Sequence, residues 1–362
     1  MNSINTSHSP IDWSQFIAIV ERSQRFLLTV HIRPDGDCIG SELAMAAMLR
    51  QLGKDVRLVN ADRVPPDLLF LSGAGEIECL DTFRNTLDHQ AWLESVDVIM
   101  VLDTISWAQL GPMKPILQAH KGIIVAIDHH ANGDDIGAIV FSDPDAEAAG
   151  RLVFDVARHF STFGVDLTPE IATALYTAIA TDTGWFRFSS VTDQTFAAAA
   201  ELVRAGASPH VIYYHLYEQA TVGKIRLIGR TLAKVELHLD GQLAFTSIMQ
   251  DDFAQANAIP SDSEDIVNKT LAIGGTKMAV IVVEQPDGGF KISFRSRCEV
   301  DCSKVAAQFG GGGHRQAAGA SQNLPYEELK TILIDAMTEA YHNGRTRLLN
   351  DHSSQCGSVK WE

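Results

Sequence analysis

Gly122–Ile123–Ile124–Val125–Ala126–Ile127–Asp128–His129–His130 is the stretch on which the reading of this chain turns. Its first six residues form an apolar run, the pattern of a short strand buried on both faces. The run stops at one carboxylate and two imidazoles, and Ala131–Asn132–Gly133–Asp134–Asp135 follows with turn chemistry. Open α/β sheets bind ligands just beyond the carboxyl ends of their strands. Imidazole and carboxylate are donors for divalent transition metals. The stretch therefore predicts a functional strand end, provided that other parts of the chain supply more donors.

Working outward, other elements end in the same chemistry. Phe26–Leu27–Leu28–Thr29–Val30–His31 reads as a buried strand, and Arg33–Pro34–Asp35–Gly36–Asp37 as a tight turn. A helix over 39–52, stopped by Gly53, and a strand at 56–59 complete a βαβ unit, which implies a parallel sheet. Before it, residues 12–24 have a helical pattern. The next strand, 96–102, runs into Asp103–Thr104, and residues 112–120 carry a weak helical pattern. A further strand is expected at 136–141. From about 145 to 220 the pattern is helical, over 145–162, 168–181, 192–205 and 208–219, and Asp182 closes the second of these.

After about residue 220 the pattern changes. A helix is expected over 222–235. Asp240–Gly241 between two alternating stretches predicts a hairpin, and Pro286–Asp287–Gly288–Gly289 predicts a second. Ser261–Asp262–Ser263–Glu264 reads as a capping-box-like helix start. Helices over 301–309 and 325–342 flank the run Gly310–Gly311–Gly312–Gly313–His314. The expected organisation is α/β throughout: a parallel-sheet domain over 1–220, a smaller α/β domain over 221–345, and a disordered polar tail over 346–362.

The bulk numbers limit the function. A chain of 362 residues, 46% hydrophobic and 20% charged, is ordinary for a globular protein of two domains. A net charge of −16 argues against coating long nucleic acid. It leaves room for a small phosphorylated substrate, because bound cations reverse the local field of clustered carboxylates. The five cysteines are scattered and odd in number, which fits reduced thiols and a cytoplasmic location. No apolar run reaches the length of a membrane span, and the first residues lack the pattern of a signal peptide.

His31, Asp35, Asp37, Asp103, Asp128, His129, His130 and Asp182 all lie at element ends. Each alone is ordinary: Asp-Gly-Asp is a common turn, and paired histidines are commonly solvated. At the ends of parallel strands the first groups converge on one edge. Mixed imidazole and carboxylate favours manganese, zinc, iron or cobalt over magnesium or calcium. Two such ions can share a hydroxide that attacks phosphorus. In the second domain the glycine run lets backbone N–H groups approach an anion closely. Arg295, Arg297, Lys304, His314 and Arg315 form a basic group in an acidic chain, with Arg295 and His314 the first choices for a phosphate.

In this combination the sequence resembles the DHH phosphoesterases. His31-x-x-x-Asp35-x-Asp37, Asp103, Asp128–His129–His130 and Asp182 match that family's four motifs in order. Phe294–Arg295–Ser296, Val305–Ala306–Ala307–Gln308–Phe309, the glycine–histidine run and Ala317–Ala318–Gly319 resemble the DHH-associated domain. At Ala146–Glu147–Ala148–Ala149–Gly150 the chain departs from the Ser or Thr that relatives often carry.

The resemblance implies two Mn2+ ions in a cleft between the domains, with other divalent transition metals as substitutes. His31 and Asp35 would hold one ion, Asp37, His129 and Asp182 the other, and Asp103 would bridge. His130 would touch the scissile phosphate, with Asp128 behind it. Arg295, Ser296, Gly311, Gly312, Gly313 and His314 would bind substrate. No room is expected here for the extra nucleic-acid-binding domain of the family's long exonucleases, and no membrane spans like those of its membrane-bound members are expected. That points to the compact type, which hydrolyses very short RNA to 5′-mononucleotides and dephosphorylates 3′-phosphoadenosine 5′-phosphate. The alternatives are hydrolysis of cyclic di-AMP or pApA, and a non-catalytic nucleotide sensor. Neither long duplex nucleic acid nor a membrane is expected as a partner, and a homodimer is left open.

Overall fold

The structure is a computed structural model that describes residues 11–83, 87–313 and 315–355. The chain divides into two compact units, Met1–Gln219 and Ala220–Glu362.

The first unit is built on six parallel strands in the order β3-β2-β1-β4-β5-β6. They are β1 (Arg25–Thr29), β2 (Asp55–Asn60), β3 (Glu78–Cys79), β4 (Val98–Leu102), β5 (Ile123–Asp128) and β6 (Ile139–Ser142). The central strands are apolar because both faces are covered: Phe26 and Leu28 lie in one core cluster, Leu27 and Ile99 in another. Strand order reverses between β1 and β4, the neighbours at the centre of the sheet. That is the topological switch point, where connections leave in opposite directions and open a crevice at the strand ends.

Four helices pack on one side of the sheet. Helix α1 (Ser14–Arg22) precedes β1, and α2 (Gly36–Gln51) follows it. Helix α3 (Ala149–Phe160) follows β6, and α4 (Pro169–Asp182) comes next. Helix α2 is buried nearly all round, which suits a central helix. Its glycines allow α4 to approach: a Cβ at Gly36 would lie 2.5 Å from Thr181 Oγ1, and one at Gly40 would collide with the Ala174 carbonyl. The contacts pair the start of α2 with the end of α4, so Asp35 and Asp37 come beside Asp182. Helices α5 (Asp193–Arg204) and α6 (Pro209–Tyr217) follow, and shorter helices, among them Lys114–Ala119, connect the strands.

Two details differ from expectation here. The helix expected from 145 starts at Ala149, because Ala148 is extended. The two-residue β3 lies in a segment of short turns whose sequence carries no strand pattern.

The second unit holds a mixed six-stranded sheet in the order β11-β12-β10-β9-β8-β7. Helix α7 (Val222–Ala233) leads into β7 (Glu236–His238), which pairs antiparallel with β8 (Leu243–Ile248) across Asp240–Gly241. Helix α8 (Gln250–Ala256) follows. The start expected at Ser261 is instead a 3-10 turn, Pro260–Ser263. Asp265 at φ +62° then separates it from the short α9 (Ile266–Thr270). Strands β9 (Met278–Glu284) and β10 (Phe290–Ser296) form the second hairpin.

Helix α10 (Cys302–Ala307), β11 (Gly312–Gly313), β12 (Ala317–Gln322) and α11 (Tyr326–Gln355) close the unit. Residues 346–355, expected to be a disordered tail, continue α11. Extending a formed helix costs little, and Arg347–Leu348–Leu349 are good helix formers. The remaining tail, 356–362, lies outside the described residues. Among the described residues no helix is long and apolar enough to cross a membrane, and four cysteines are free thiols.

Candidate metal centre

The switch point collects the side chains singled out in the first unit. His31 leaves the end of β1 with Nδ1 against the Ile32 carbonyl at 2.9 Å, which turns Nε2 inward. Asp35 caps α2, its Oδ1 accepting the N–H groups of Asp37 at 3.1 Å and Cys38 at 3.2 Å. Asp103 follows β4 in a left-handed conformation, φ +62°. Its N–H bonds the Ile127 carbonyl of β5 at 2.9 Å. Such a conformation in a non-glycine residue costs about 1–2 kcal/mol and here aims the carboxylate at its neighbours.

Asp37 is held differently. Its carboxylate accepts the N–H groups of Ala149 at 2.7 Å and Gly150 at 2.8 Å, with Ser41 Oγ at 3.3 Å. It thus caps the N-terminus of α3, where Ala148 offers no side-chain cap. A stretch whose own side chains lack hydroxyls contributes through its backbone. Nothing in the sequence signals this, because backbone N–H groups are the same in every residue. The same stretch turns His129: the Ala146 carbonyl lies 3.2 Å from Nδ1, leaving Nε2 to the carboxylates.

The spacings are those of donors around ions. His129 Nε2 lies 3.4 Å from Asp103 Oδ1, 3.5 Å from Asp182 Oδ2 and 3.7 Å from Asp37 Oδ2. His31 Nε2 lies 3.4 Å from Asp103 Oδ2 and 3.9 Å from Asp35 Oδ1. Good hydrogen bonds are shorter, about 2.7–3.2 Å. Donors that each sit about 2.0–2.2 Å from a common ion fall naturally at separations like these. Asp103 Oδ1 is buried and has no hydrogen-bond partner among the described residues, an orphan that a cation would satisfy. The residues therefore fit metal ions. His31, Asp35 and Asp103 form one group that could hold a metal ion, and Asp37, His129 and Asp182 form another. Asp103 turns one oxygen toward each.

Electrostatics agree. Burial pushes Asp37 well above the usual carboxylate range, and the charges of Asp103 and Asp182 push it further. Burial raises Asp182 to about 6, against the pull of His129. Burial also works to lower His129 and His31. It is outweighed by Asp103 in both cases, with Asp37 and Asp182 adding to His129 and Asp35 to His31; the rings stand at about 10 and about 9. The crowded carboxylates here favour the protonated form of the histidines. Cys38 lies within the His31 group. Burial pushes its thiol well up, and Sγ bonds the backbone of Asp35, so it is a packing thiol.

His130 forms a third group with Asp103 and His129 that could hold a metal ion, but it is the most open of these histidines. Its side chain is 57% exposed, and its Nδ1 lies 2.7 Å from Oδ1 of Asp128, which is fully buried. The hydrogen bond to Asp128 raises the ring's pKa. Asp128 fixes the ring and leaves Nε2 free for a ligand.

In the second unit the singled-out residues are less convergent. Successive residues of a strand point to opposite faces. Arg295 bonds Asn268 through Nε at 3.1 Å and the Phe294 carbonyl at 3.0 Å. Ser296 is buried, its Oγ engaged with the backbone of Cys298. The glycines have packing work: Gly310, φ +70°, ends α10, and the N–H of Gly311 reaches the Ala306 carbonyl at 2.9 Å. A Cβ at Gly311 would collide with the Gly319 carbonyl, and one at Gly313 would lie 2.7 Å from the Ala317 carbonyl. Gly312 has open space. His314 lies outside the described residues.

A six-stranded parallel sheet with imidazoles and carboxylates gathered at its switch point defines an α/β protein with a candidate centre for divalent cations. The chain belongs to the DHH family: the model of the DHH family N-terminal domain matches residues 25–179, and that of the DHHA1 domain matches 240–343. One relative, a bifunctional oligoribonuclease and PAP phosphatase NrnA of Thermus thermophilus, is 31% identical over 314 residues, 86% of this chain and 89% of its own. Another of the same name, from Bacillus subtilis, is 26% identical over 90% of this chain and 97% of its own. The crystal structure of an exopolyphosphatase-related protein from Bacteroides fragilis superposes with a TM-score of 0.84 at 28% identity, covering 94% of this chain and 99% of that one. The chain is thus a hydrolase of the DHH phosphoesterase family.

Proposed function

We propose that this protein hydrolyses very short RNA to 5′-mononucleotides and removes the 3′-phosphate of 3′-phosphoadenosine 5′-phosphate, using two divalent ions, manganese foremost, in the cytoplasm. The observation that carries the reading is the position of Asp103, with one oxygen toward His31 and the other toward His129. The names of the relatives supply the substrate class.

His31, Asp35 and Asp103 would hold one ion, and Asp37, Asp103, His129 and Asp182 the other. When bound, such ions activate water and neutralise charge on phosphoryl oxygens. His130 directs Nε2 at the phosphate and stabilises the charge that develops there. Asp128 keeps that ring oriented and its donor form populated. Asp37, gripped by the start of α3, keeps its donors in place before substrate arrives. Arg295, Ser296, Gly311, Gly312, Gly313 and His314 bind the sugar-phosphate.

The test is a comparison of rates with manganese on RNAs of two to five nucleotides, 3′-phosphoadenosine 5′-phosphate and cyclic di-AMP. Mononucleotide release from the RNAs and loss of the 3′-phosphate are expected. Cleavage of the cyclic dinucleotide alone would move the reading to a cyclic-dinucleotide phosphodiesterase. No hydrolysis of any of them would leave a nucleotide sensor.

A further inference from the structure

The chain leaving Asp182 takes a conformation that its sequence disfavours. Gly184, Trp185 and Phe186 have φ of 55°, 60° and 61°, a turn of left-handed backbone. In L-residues this crowds Cβ against the carbonyl. The turn is held on several sides. The N–H of Trp185 reaches the Ala180 carbonyl at 2.6 Å, and those of Arg187 and Phe188 share the Thr183 carbonyl at 3.0 and 3.1 Å. Thr183 Oγ1 takes the N–H of Phe186 at 3.1 Å. The ring of Trp185 packs edge-on against Tyr176, Tyr213 and Tyr217, and Phe186 stacks on Phe196.

All this scaffolding ends in a ring that is not buried. Phe188 is 53% exposed, with its tip over Gly184, where any Cβ would collide with it. Arg187 bonds the Gly184 carbonyl through Nε at 2.6 Å. Its guanidinium stands 5.9 Å from the centre of the Phe188 ring. Ending a helix needs only the glycine; two strained aromatic residues serve to aim Arg187 and Phe188. Strain that neighbours over-determine gathers at ligand clamps. The turn thus presents a flat apolar face and a cation, joined to a residue of the donor cluster by a short, rigid connection.

We propose that Phe188 is a stacking platform for a nucleobase of the substrate, with Arg187 bracing the ring and offering charge to the sugar-phosphate beside it. The inference rests on the nucleotide hydrolysis proposed above and adds where the base goes. Stacking on an aromatic face is tolerant of base identity, so the platform selects nucleotides over base-free phosphates without selecting among bases.

The experiment compares kcat/KM, in manganese, for 3′-phosphoadenosine 5′-phosphate and for ribose 3,5-bisphosphate, which keeps the phosphates and lacks the base. Wild type should prefer the nucleotide. Phe188→Ala should lower that preference about tenfold, through KM, and Phe188→Trp should keep it. A ratio unchanged in Phe188→Ala overturns the proposal, even if both rates fall together, and is the outcome expected of a protein-docking patch. Binding of AMP to the manganese-loaded protein separates this result from failure of the functional reading. If wild type hydrolyses neither compound but Phe188→Ala weakens AMP binding, the platform stands and the hydrolase reading falls.

Discussion

The strand-end cluster of the first unit and the glycine-rich edge of the second use backbone in opposite ways. In the first, side chains carry the chemistry and backbone groups hold them. The N–H groups of Ala149 and Gly150 grip Asp37, and the Ala146 carbonyl turns His129. In the second, backbone freedom is spent on packing. Gly310 ends a helix, Gly311 and Gly313 press against β12, and Gly312 alone of the run's last three residues has open space. The difference teaches where each region is fragile. The cluster fails when a functional atom is removed; the edge fails when an atom is added.

The largest expected effect breaks the cluster. Asp103→Ala should lower short-RNA hydrolysis by on the order of a thousandfold, and a chelator should do the same to wild type. More than a tenth of the wild-type rate retained by the variant would remove Asp103 from the donor set.

A second change asks what burial does to a carboxylate outside the cluster. Glu42, in α2, is fully buried, accepts a 2.7 Å bond from Asn60, and is raised by burial from 4.5 to about 8. Folding then retains a proton that the unfolded chain releases, so stability is highest below about 4.5, declines as pH rises toward about 8, and levels off beyond. Glu42→Gln should flatten that decline, gaining up to about 5 kcal/mol at pH 9, since each tenfold change in proton affinity is worth about 1.4 kcal/mol. Urea unfolding across this range checks it; parallel profiles for the two proteins would refute it.

The third change adds an atom to the edge. Gly311→Ala should destabilise the second unit by about 2 kcal/mol through overpacking, read by denaturant unfolding. Manganese binding at the cluster should stay intact. Unaltered unfolding would mean that the close approach of Gly311 to β12 is not structural. The smallest effect is Arg295→Ala, expected to raise KM for 3′-phosphoadenosine 5′-phosphate about tenfold with kcat little changed, the loss of one charged hydrogen bond. An unchanged KM would confine Arg295 to its contact with Asn268.

Much of the fold was legible, for a physical reason. Strands β1, β4 and β5 read as largely apolar runs because both their faces are buried, and His31, Asp103 and Asp128–His129–His130 stand at their ends. Asp182 was legible as a helix end. The grip on Asp37 was not, because it comes from anonymous N–H groups more than a hundred residues away. Nor was the turn at 184–186, since Trp185 and Phe186 adopt a conformation their types avoid, held by hydrogen bonds to Ala180 and Thr183 and by packing against Tyr176, Tyr213, Tyr217 and Phe196. The two residues of β3 are too few to show a period. Gly311 and Gly313 showed that glycine was wanted but not that β12 was the reason.

The grip on Asp37 has a consequence for how the protein meets its ions. His31, Asp35 and Asp37 lie within seven residues, but Asp103, His129 and Asp182 reach them only through the fold, so neither complete donor set exists before the sheet and α4 are assembled. Asp37 is nevertheless already secured by backbone hydrogen bonds that owe nothing to metal. In the two-ion centre proposed above, binding would therefore follow folding, and the protein kept in a chelator should stay folded while its hydrolysis stops.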